Sequence, residues 1–260
     1  MDDFLGEDIV MAEDTVKKTK IFIGIPAYGD IDPEVVQSFM RWLYRLGRDY
    51  PDCQFFMGIK SKSEQARARN YIVNSALSIN CDYILMIDDD MIIEDDQTDF
   101  LRKLLNHNVP AVGVLYWQRG GEFRPVMLHE KEVKGEVGKY IWYDESEIKG
   151  ELQEVDVIGG GFMLIKAEVF LRMLEPYFWY DGTVGTDIYI CRRIRELGYK
   201  CYVDTSIELG HRSSERLTIN SKTKPPMEEI NKFRQEEKEN KLVMNSNLWE
   251  AREAMKRKGG

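Results

Sequence analysis

The sequence predicts an α/β protein with a mostly parallel central sheet flanked by helices, and three observations predict it. Short apolar, β-branched runs alternate with segments of helical spacing through the first half of the chain. Those runs are apolar throughout rather than alternating with polar residues, as strands covered on both faces are. The links between them are short, which fits right-handed crossovers joining parallel neighbours.

The first strand is Lys20 to Pro26, apolar until the proline stops it. Asp32-Pro33 then supplies an N-cap and a first-turn proline, and Val35, Val36, Phe39, Met40, Leu43 and Leu46 recur at helical spacing before Gly47, read as the stop. Cys53 to Ile59 is a second strand. Ser63 is expected to cap a helix carrying Ala66, Ile72, Val73, Ala76 and Leu77 on one side. Tyr83 to Ile87 is a third strand running straight into Asp88-Asp89-Asp90, and a helix from Asp99 to His107 leads to a fourth, Ala111 to Tyr116. From Gly120 the texture changes to hairpins or an extended loop, with Lys139 to Tyr143 alternating. Val155 to Ile165 reads as a strand broken at Gly159-Gly160-Gly161. A short helix (Ala167 to Leu174), a longer one (Thr186 to Leu197, closed by Gly198) and a last short strand (Lys200 to Val203) follow. After Pro225-Pro226 the chain is charged and helix-prone up to Lys258, predicting a C-terminal helical extension.

A net charge of −9 over 260 residues argues against general nucleic-acid binding. No apolar run approaches the roughly 18–20 residues needed to span a bilayer, and Met1 to Lys20 has no signal-peptide core, so the expectation is a cytoplasmic protein without a transmembrane segment. Cys53, Cys81, Cys191 and Cys201 form no C-x-x-C pair and read as reduced, partly buried thiols.

Three carboxylates at the exit of a buried strand repel one another unless something positive sits among them. The carboxyl ends of the strands form the ligand crevice of an open parallel sheet. A hard cation, Mn²⁺ or Mg²⁺, would relieve the repulsion and bring phosphate oxygens with it. A solvated acidic turn is the plainer explanation, but it does not account for the apolar run before the cluster. Upstream, Arg67 and Arg69 stand at i and i+2, so one faces the crevice and the other solvent. The glycines at 159–161 allow close backbone approach or mark a β-bulge. Asp187 opens a helix and suits an N-cap. His211 is a lone histidine, a type more often structural than catalytic, and His107 and His129 read as surface or structural residues.

These segments resemble the GT-A glycosyltransferases of family 2 and its relatives. The resemblance rests on Ala68-Arg69-Asn70 on a helix, the strand Tyr83 to Ile87, and a D-x-D motif matched by Asp88 and Asp90, and it covers Ile21 to His211. It implies a Rossmann-like GT-A fold and transfer of a sugar from a UDP- or GDP-sugar, UDP-sugar favoured, to an acceptor hydroxyl. By the match, Asp88 and Asp90 hold the metal, with Asp89 and Arg69 beside the donor. Pro26-Ala27-Tyr28 lies by the base, and Gly160 and Gly161 line the sugar pocket. Asp187 matches the general base of inverting members, although Thr186 stands where the family usually has glutamate. The segment from Asp187 to Gly210-His211-Arg212 is similar to polypeptide N-acetylgalactosaminyltransferases. That implies His211 as a further metal ligand, better suited to Mn²⁺ than to Mg²⁺, and Arg212 or Arg216 at the diphosphate. Family 2 implies inversion, whereas the His211 segment resembles a retaining family. Trp117, Trp179 and Tyr180 are candidate sugar platforms, with core packing as the alternative.

The implied organisation is an arm (1–19), a GT-A domain (20–220) and a charged helical extension (221–260) offering a surface for self-association. The domain divides into a nucleotide-binding half (20–118) and an acceptor and sugar half (119–220). Two rival functions stay open: a nucleotidyltransferase acting on sugar phosphates, disfavoured by the glycine-poor, acidic Pro26 to Asp30 segment, and a non-catalytic binding or assembly module.

Overall fold

The computed structural model describes residues 17–94, 99–133, 136–180, 182–213 and 217–226, with residues 228, 232 and 235 beyond, and leaves aside the side chains of 132–138. The expected arm up to residue 16 and most of the expected extension lie outside the described residues, as does Arg216.

The first four strands and three helices are β1 (Thr19–Pro26), α1 (Pro33–Asp49), β2 (Cys53–Lys60), α2 (Gln65–Ser78), β3 (Tyr83–Ile87), β4 (Met91–Ile92) and α3 (Phe100–His107). There follow β5 (Ala111–Leu115), the hairpin β6 (Met127–Val133) and β7 (Glu136–Trp142), a 3-10 turn (Glu145–Glu147), β8 (Leu152–Val155), β9 (Val157–Ile158) and β10 (Phe162–Lys166). The chain continues through α4 (Ala167–Leu171), α5 (Thr186–Glu196), β11 (Cys201–Glu208), β12 (Gly210–Arg212) and β13 (Thr218–Ile219).

The central sheet has seven strands in the order β2-β1-β3-β10-β5-β11-β8. β1 pairs in parallel with β2 and β3, and β5 with β11. β10 lies antiparallel between β3 and β5, and β8 antiparallel at one edge. The expected fold class is thus observed: α/β, mostly parallel, flanked by helices. The central antiparallel strand is the part its apolar residues did not reveal, because an apolar run carries no direction. Its consequence is functional. The amino end of β10 meets the carboxyl end of β3 (Phe162 opposite Ile87), which sets Gly159-Gly160-Gly161 beside the aspartates.

Each central strand is apolar on both sides because each side is covered. On β1, Phe22 packs with α2, α4 and α5, while Ile21, Ile23 and Ile25 pack with α1 and α3; on β3, Ile84 and Met86 face the first group, Leu85 and Ile87 the second. Gly24 lets α2 close on the sheet, since a Cβ there would overlap Ile72 Cγ2. Gly24→Ala is expected to destabilise by about 1–3 kcal/mol through overpacking, read as a lower urea midpoint; an unchanged midpoint would show that α2 can yield.

Several local readings are corrected. α1 runs through Gly47 to Asp49, with Asp32 capping it by accepting from the Glu34 N–H at 2.9 Å. Glu64, not Ser63, caps α2, its carboxylate accepting from the N–H groups of Ala66 and Arg67, both at 3.0 Å. α4 ends at Leu171 rather than Leu174, and the strand expected to end at Val203 runs on to Glu208 and is followed by β12 and β13. All four cysteines are free and buried. Among the described residues no helix is long and apolar enough to cross a membrane.

Candidate functional site

The site forms where β1, β3 and β5 end. Asp88 leaves β3 with its N–H bonded to the Gly161 carbonyl at 3.0 Å. Arg69, on the sheet-facing side of α2, is 1% exposed, while Arg67 faces outward, as the two-residue offset requires. Arg69 Nη2 donates to both Asp88 oxygens (2.8 and 3.0 Å) and to the Gly160 carbonyl (3.0 Å), and Nη1 donates to Thr186 Oγ1 at 2.5 Å. The guanidinium therefore ties α2, β3, the glycine turn and the start of α5 together. The glycines make room for it: a Cβ on Gly160 would stand 2.6 Å from Arg69 Nη2, and one on Gly161 would stand 2.8 Å from Tyr116 Cζ. Here the side chains of this chain fill the space that the glycines leave.

Burial pushes the Asp88 carboxyl up to about 6; Arg69 pulls it down, but Asp90 and Asp89 push the same way as burial. Burial and the charge of Asp90 also raise Asp89, which accepts the Tyr28 N–H at 3.2 Å. For Asp90, burial is outweighed by His211 and Arg119, and its carboxyl is held below the usual range. Burial, then the charge of Asp88, lifts the Tyr116 phenol well above its ordinary value; its hydroxyl accepts the Gly161 N–H at 2.8 Å.

His211 reaches the cluster because β12 pairs with β4, His211 opposite Met91. Its Nδ1 lies 2.8 Å from the Trp117 carbonyl, an acceptor only, so Nδ1 carries the proton. That leaves Nε2 facing Asp90 Oδ2 at 3.4 Å. The carboxylate oxygen and the ring nitrogen so placed need a proton or a cation between them. Two atoms bound about 2.1 Å from one ion lie roughly 3–3.4 Å apart, so this donor pair fits a transition-metal ion. Among the described residues no group of three or more His, Cys, Asp and Glu side chains could by itself hold a metal. Asp88 is turned to Arg69 rather than to His211.

Three adjoining cavities surround this point. One of about 430 Å³ is lined by Pro26, Ala27, Tyr28 and the three aspartates, and one of about 180 Å³ by Arg69, Gly160, Gly161 and Asp187, with Asp88 and His211 in both walls. The third, about 420 Å³, takes in Asp89, Asp90 and Arg212. The structure thus gathers Pro26, Ala27, Tyr28, Arg69, the three aspartates, Gly160, Gly161, Asp187, His211 and Arg212 at one mouth. Asp187 sits in the first turn of α5 and accepts from its neighbour Ile188 N–H at 2.9 Å; the N-cap is Gly185. The Arg212 side chain turns to Glu34 (2.6 Å) and Asp32 (3.6 Å). Of the expected sugar platforms, Trp179 and Tyr180 are exposed outside these cavities. Trp117 is buried, with Nε1 on Glu208 at 2.7 Å and Lys224 over its ring.

Arg119, Tyr116, Gln65 and Thr186 line the site without having been singled out as donor-binding or catalytic. Tyr116 and Arg119 follow the carboxyl end of β5, the position that open sheets use for ligands, which is the signal that could have found them.

No protein-family profile matches the chain, and no curated protein matches it. Among solved structures, the crystal structure of A197 from STIV is similar with a TM-score of 0.53 at 19% identity, over 79% of this chain and 92% of that one. GalNAc-T7 with UDP, GalNAc and Mn²⁺ has a TM-score of 0.43 at 12% identity, over 76% of this chain and 44% of that one. A protein assigned as a glucose-1-phosphate thymidylyltransferase, from Bacillus anthracis, has 0.42 at 13%, over 75% and 92%. The last two scores are too low to carry an argument, and the likeness to A197 is one of fold.

Proposed function

We propose that the protein is a metal-dependent glycosyltransferase of GT-A type, moving a sugar from a nucleotide-sugar, UDP-sugar before GDP-sugar, to an acceptor hydroxyl with inversion. The observation that carries this reading is the pair Asp90 Oδ2 and His211 Nε2, 3.4 Å apart at the mouth of a parallel sheet. Beside it lies a cavity of about 430 Å³, within the range of small-molecule sites.

Asp90 and His211 would hold Mn²⁺ or Mg²⁺, with Asp88 joining them. The bound ion supplies Lewis-acid stabilisation of the departing diphosphate. Tyr28, Ala27 and Pro26 wall the cavity where the base would lie, and Arg69 fixes Asp88 and the Gly160 turn. Asp187 takes the proton of the acceptor hydroxyl as that oxygen bonds to the anomeric carbon, and the bond from that carbon to the diphosphate oxygen breaks with release of UDP.

Incubation with Mn²⁺ and a panel of UDP- and GDP-sugars is expected to release the nucleoside diphosphate. Release of pyrophosphate from a nucleoside triphosphate and a sugar phosphate would instead mark nucleotidyl transfer. No release and no binding would leave a binding module.

The raised Asp88 carboxyl adds a pH dependence. Below about 6 that group holds a proton that a cation must displace, and above it the carboxylate is already free. Mn²⁺ affinity is therefore expected to fall by up to about tenfold per pH unit as pH drops from 6 towards 4, and to level off above 6. Titrations at several pH values check this; equal affinities on both sides of 6 would exclude Asp88 from the ion's surroundings.

A further inference from the structure

Arg119 is the first residue of a short loop whose base is closed by the Gln118 N–H to Arg124 carbonyl bond at 2.9 Å. The next two residues are Gly120 and Gly121, and a Cβ on either would meet nothing within 4 Å. The Arg119 side chain is 51% exposed. Nη1 bonds to Asp90 Oδ2, the oxygen that faces His211 Nε2, and lies 3.4 Å from the Arg212 carbonyl. Among the described residues its Nε and Nη2 donate to no protein group. Arg119 also stands in the walls of both the 430 and the 420 Å³ cavities, so a rotation of its long side chain keeps it within the site.

These facts describe a cation on the same carboxylate oxygen that a metal would use, held by one nitrogen, with its remaining donors making no bond among the described residues. We propose that Arg119 is an exchangeable counter-ion: it holds Asp90 until the metal arrives, then passes its guanidinium to the diphosphate of the donor. It is a positioning and specificity residue rather than a catalytic one. Two cations cannot share one carboxylate oxygen without mutual repulsion, so Arg119 and the metal oppose each other on Asp90. A diphosphate changes the sign, because its oxygens accept the guanidinium fork and leave Asp90 to the metal. Arg119 therefore weakens binding of the metal alone and strengthens binding of nucleoside diphosphate once the metal is present, a coupling that makes uptake of the two mutually dependent. This rests on the nucleotide-sugar reading of the site.

The test is Arg119→Ala in the full chain. Mn²⁺ is titrated alone by the electron paramagnetic resonance of the free ion, and UDP is titrated calorimetrically at saturating Mn²⁺. The variant is expected to bind Mn²⁺ alone about two- to fivefold more tightly, the scale of one exposed ion pair. It is expected to bind UDP about tenfold more weakly, the scale of a lost charge-assisted contact. A purely structural role would move both affinities in one direction or neither. Unchanged or weaker Mn²⁺ binding overturns the counter-ion role, and unchanged UDP affinity overturns the transfer to the diphosphate. If the wild type binds Mn²⁺ but no nucleoside diphosphate, the donor reading and the second half of the proposal fail together, while the Mn²⁺ titration still decides the first half. A wild type that takes up no Mn²⁺ overturns both.

Discussion

Arg69→Ala is expected to cost about 3–5 kcal/mol of stability, the scale for removing one partner of a buried ion pair. The guanidinium is 1% exposed and satisfies Asp88, Gly160 and Thr186 at once, so its loss removes the partner of a carboxylate and of a carbonyl and leaves the Thr186 hydroxyl with only its bond to Gln65 Oε1. At roughly 2–4 °C per kcal/mol for a chain of this size, the melting temperature should fall by about 6–20 °C. Arg67→Ala, two residues earlier on the outward face of the same helix, serves as the control and should melt within about a degree of wild type. Equal melting of the two variants would mean that Arg69 does not join the helix to the site.

Asp187→Asn tests the chemistry. Asparagine keeps an oxygen for the Ile188 N–H, so α5 should start as before, but an amide does not accept the proton of an acceptor hydroxyl. Loss of a general base typically costs about 10²–10⁴ in rate. Turnover should fall by that factor while the UDP dissociation constant stays within about twofold. Normal turnover would remove Asp187 from the reaction and leave its carboxylate as a helix-terminal charge.

Much of the first half of the fold was legible because its signals are local. Tyr83 to Ile87 is bounded by charged residues on both sides, and the strand has those limits; Asp32-Pro33 starts α1 as its capping chemistry requires. What was not legible depends on partners distant in the chain. The direction of β10 follows from its neighbours β3 and β5, not from its own residues. Gly47 does not end α1 because Tyr50, beyond it, is anchored in the core and accepts the Arg102 N–H on its hydroxyl at 2.8 Å. The cap of α2 falls on Glu64 because a longer carboxylate one residue later reaches two N–H groups.

The candidate site divides along the same line. The aspartate cluster announced itself through charge density at a strand end. Nothing around His211 in the sequence joined it to Asp90, and only the family resemblance suggested it; the link is made by the β4–β12 ladder and by a bond to a backbone carbonyl, which no residue type encodes. Arg119 sits in a glycine-flanked loop without periodicity, so its place beside Asp90 emerged only in three dimensions.

If Asp90 and His211 form a metal site serving a nucleotide-sugar, calorimetric titration of UDP with Mn²⁺, with EDTA, and with the Asp90→Asn variant will show it. UDP binding that requires Mn²⁺ in the wild type, and that is lost in the folded Asp90→Asn protein, is the predicted result. UDP binding that is equal in EDTA and in the variant, or absent from the folded wild type at millimolar nucleotide, would contradict it.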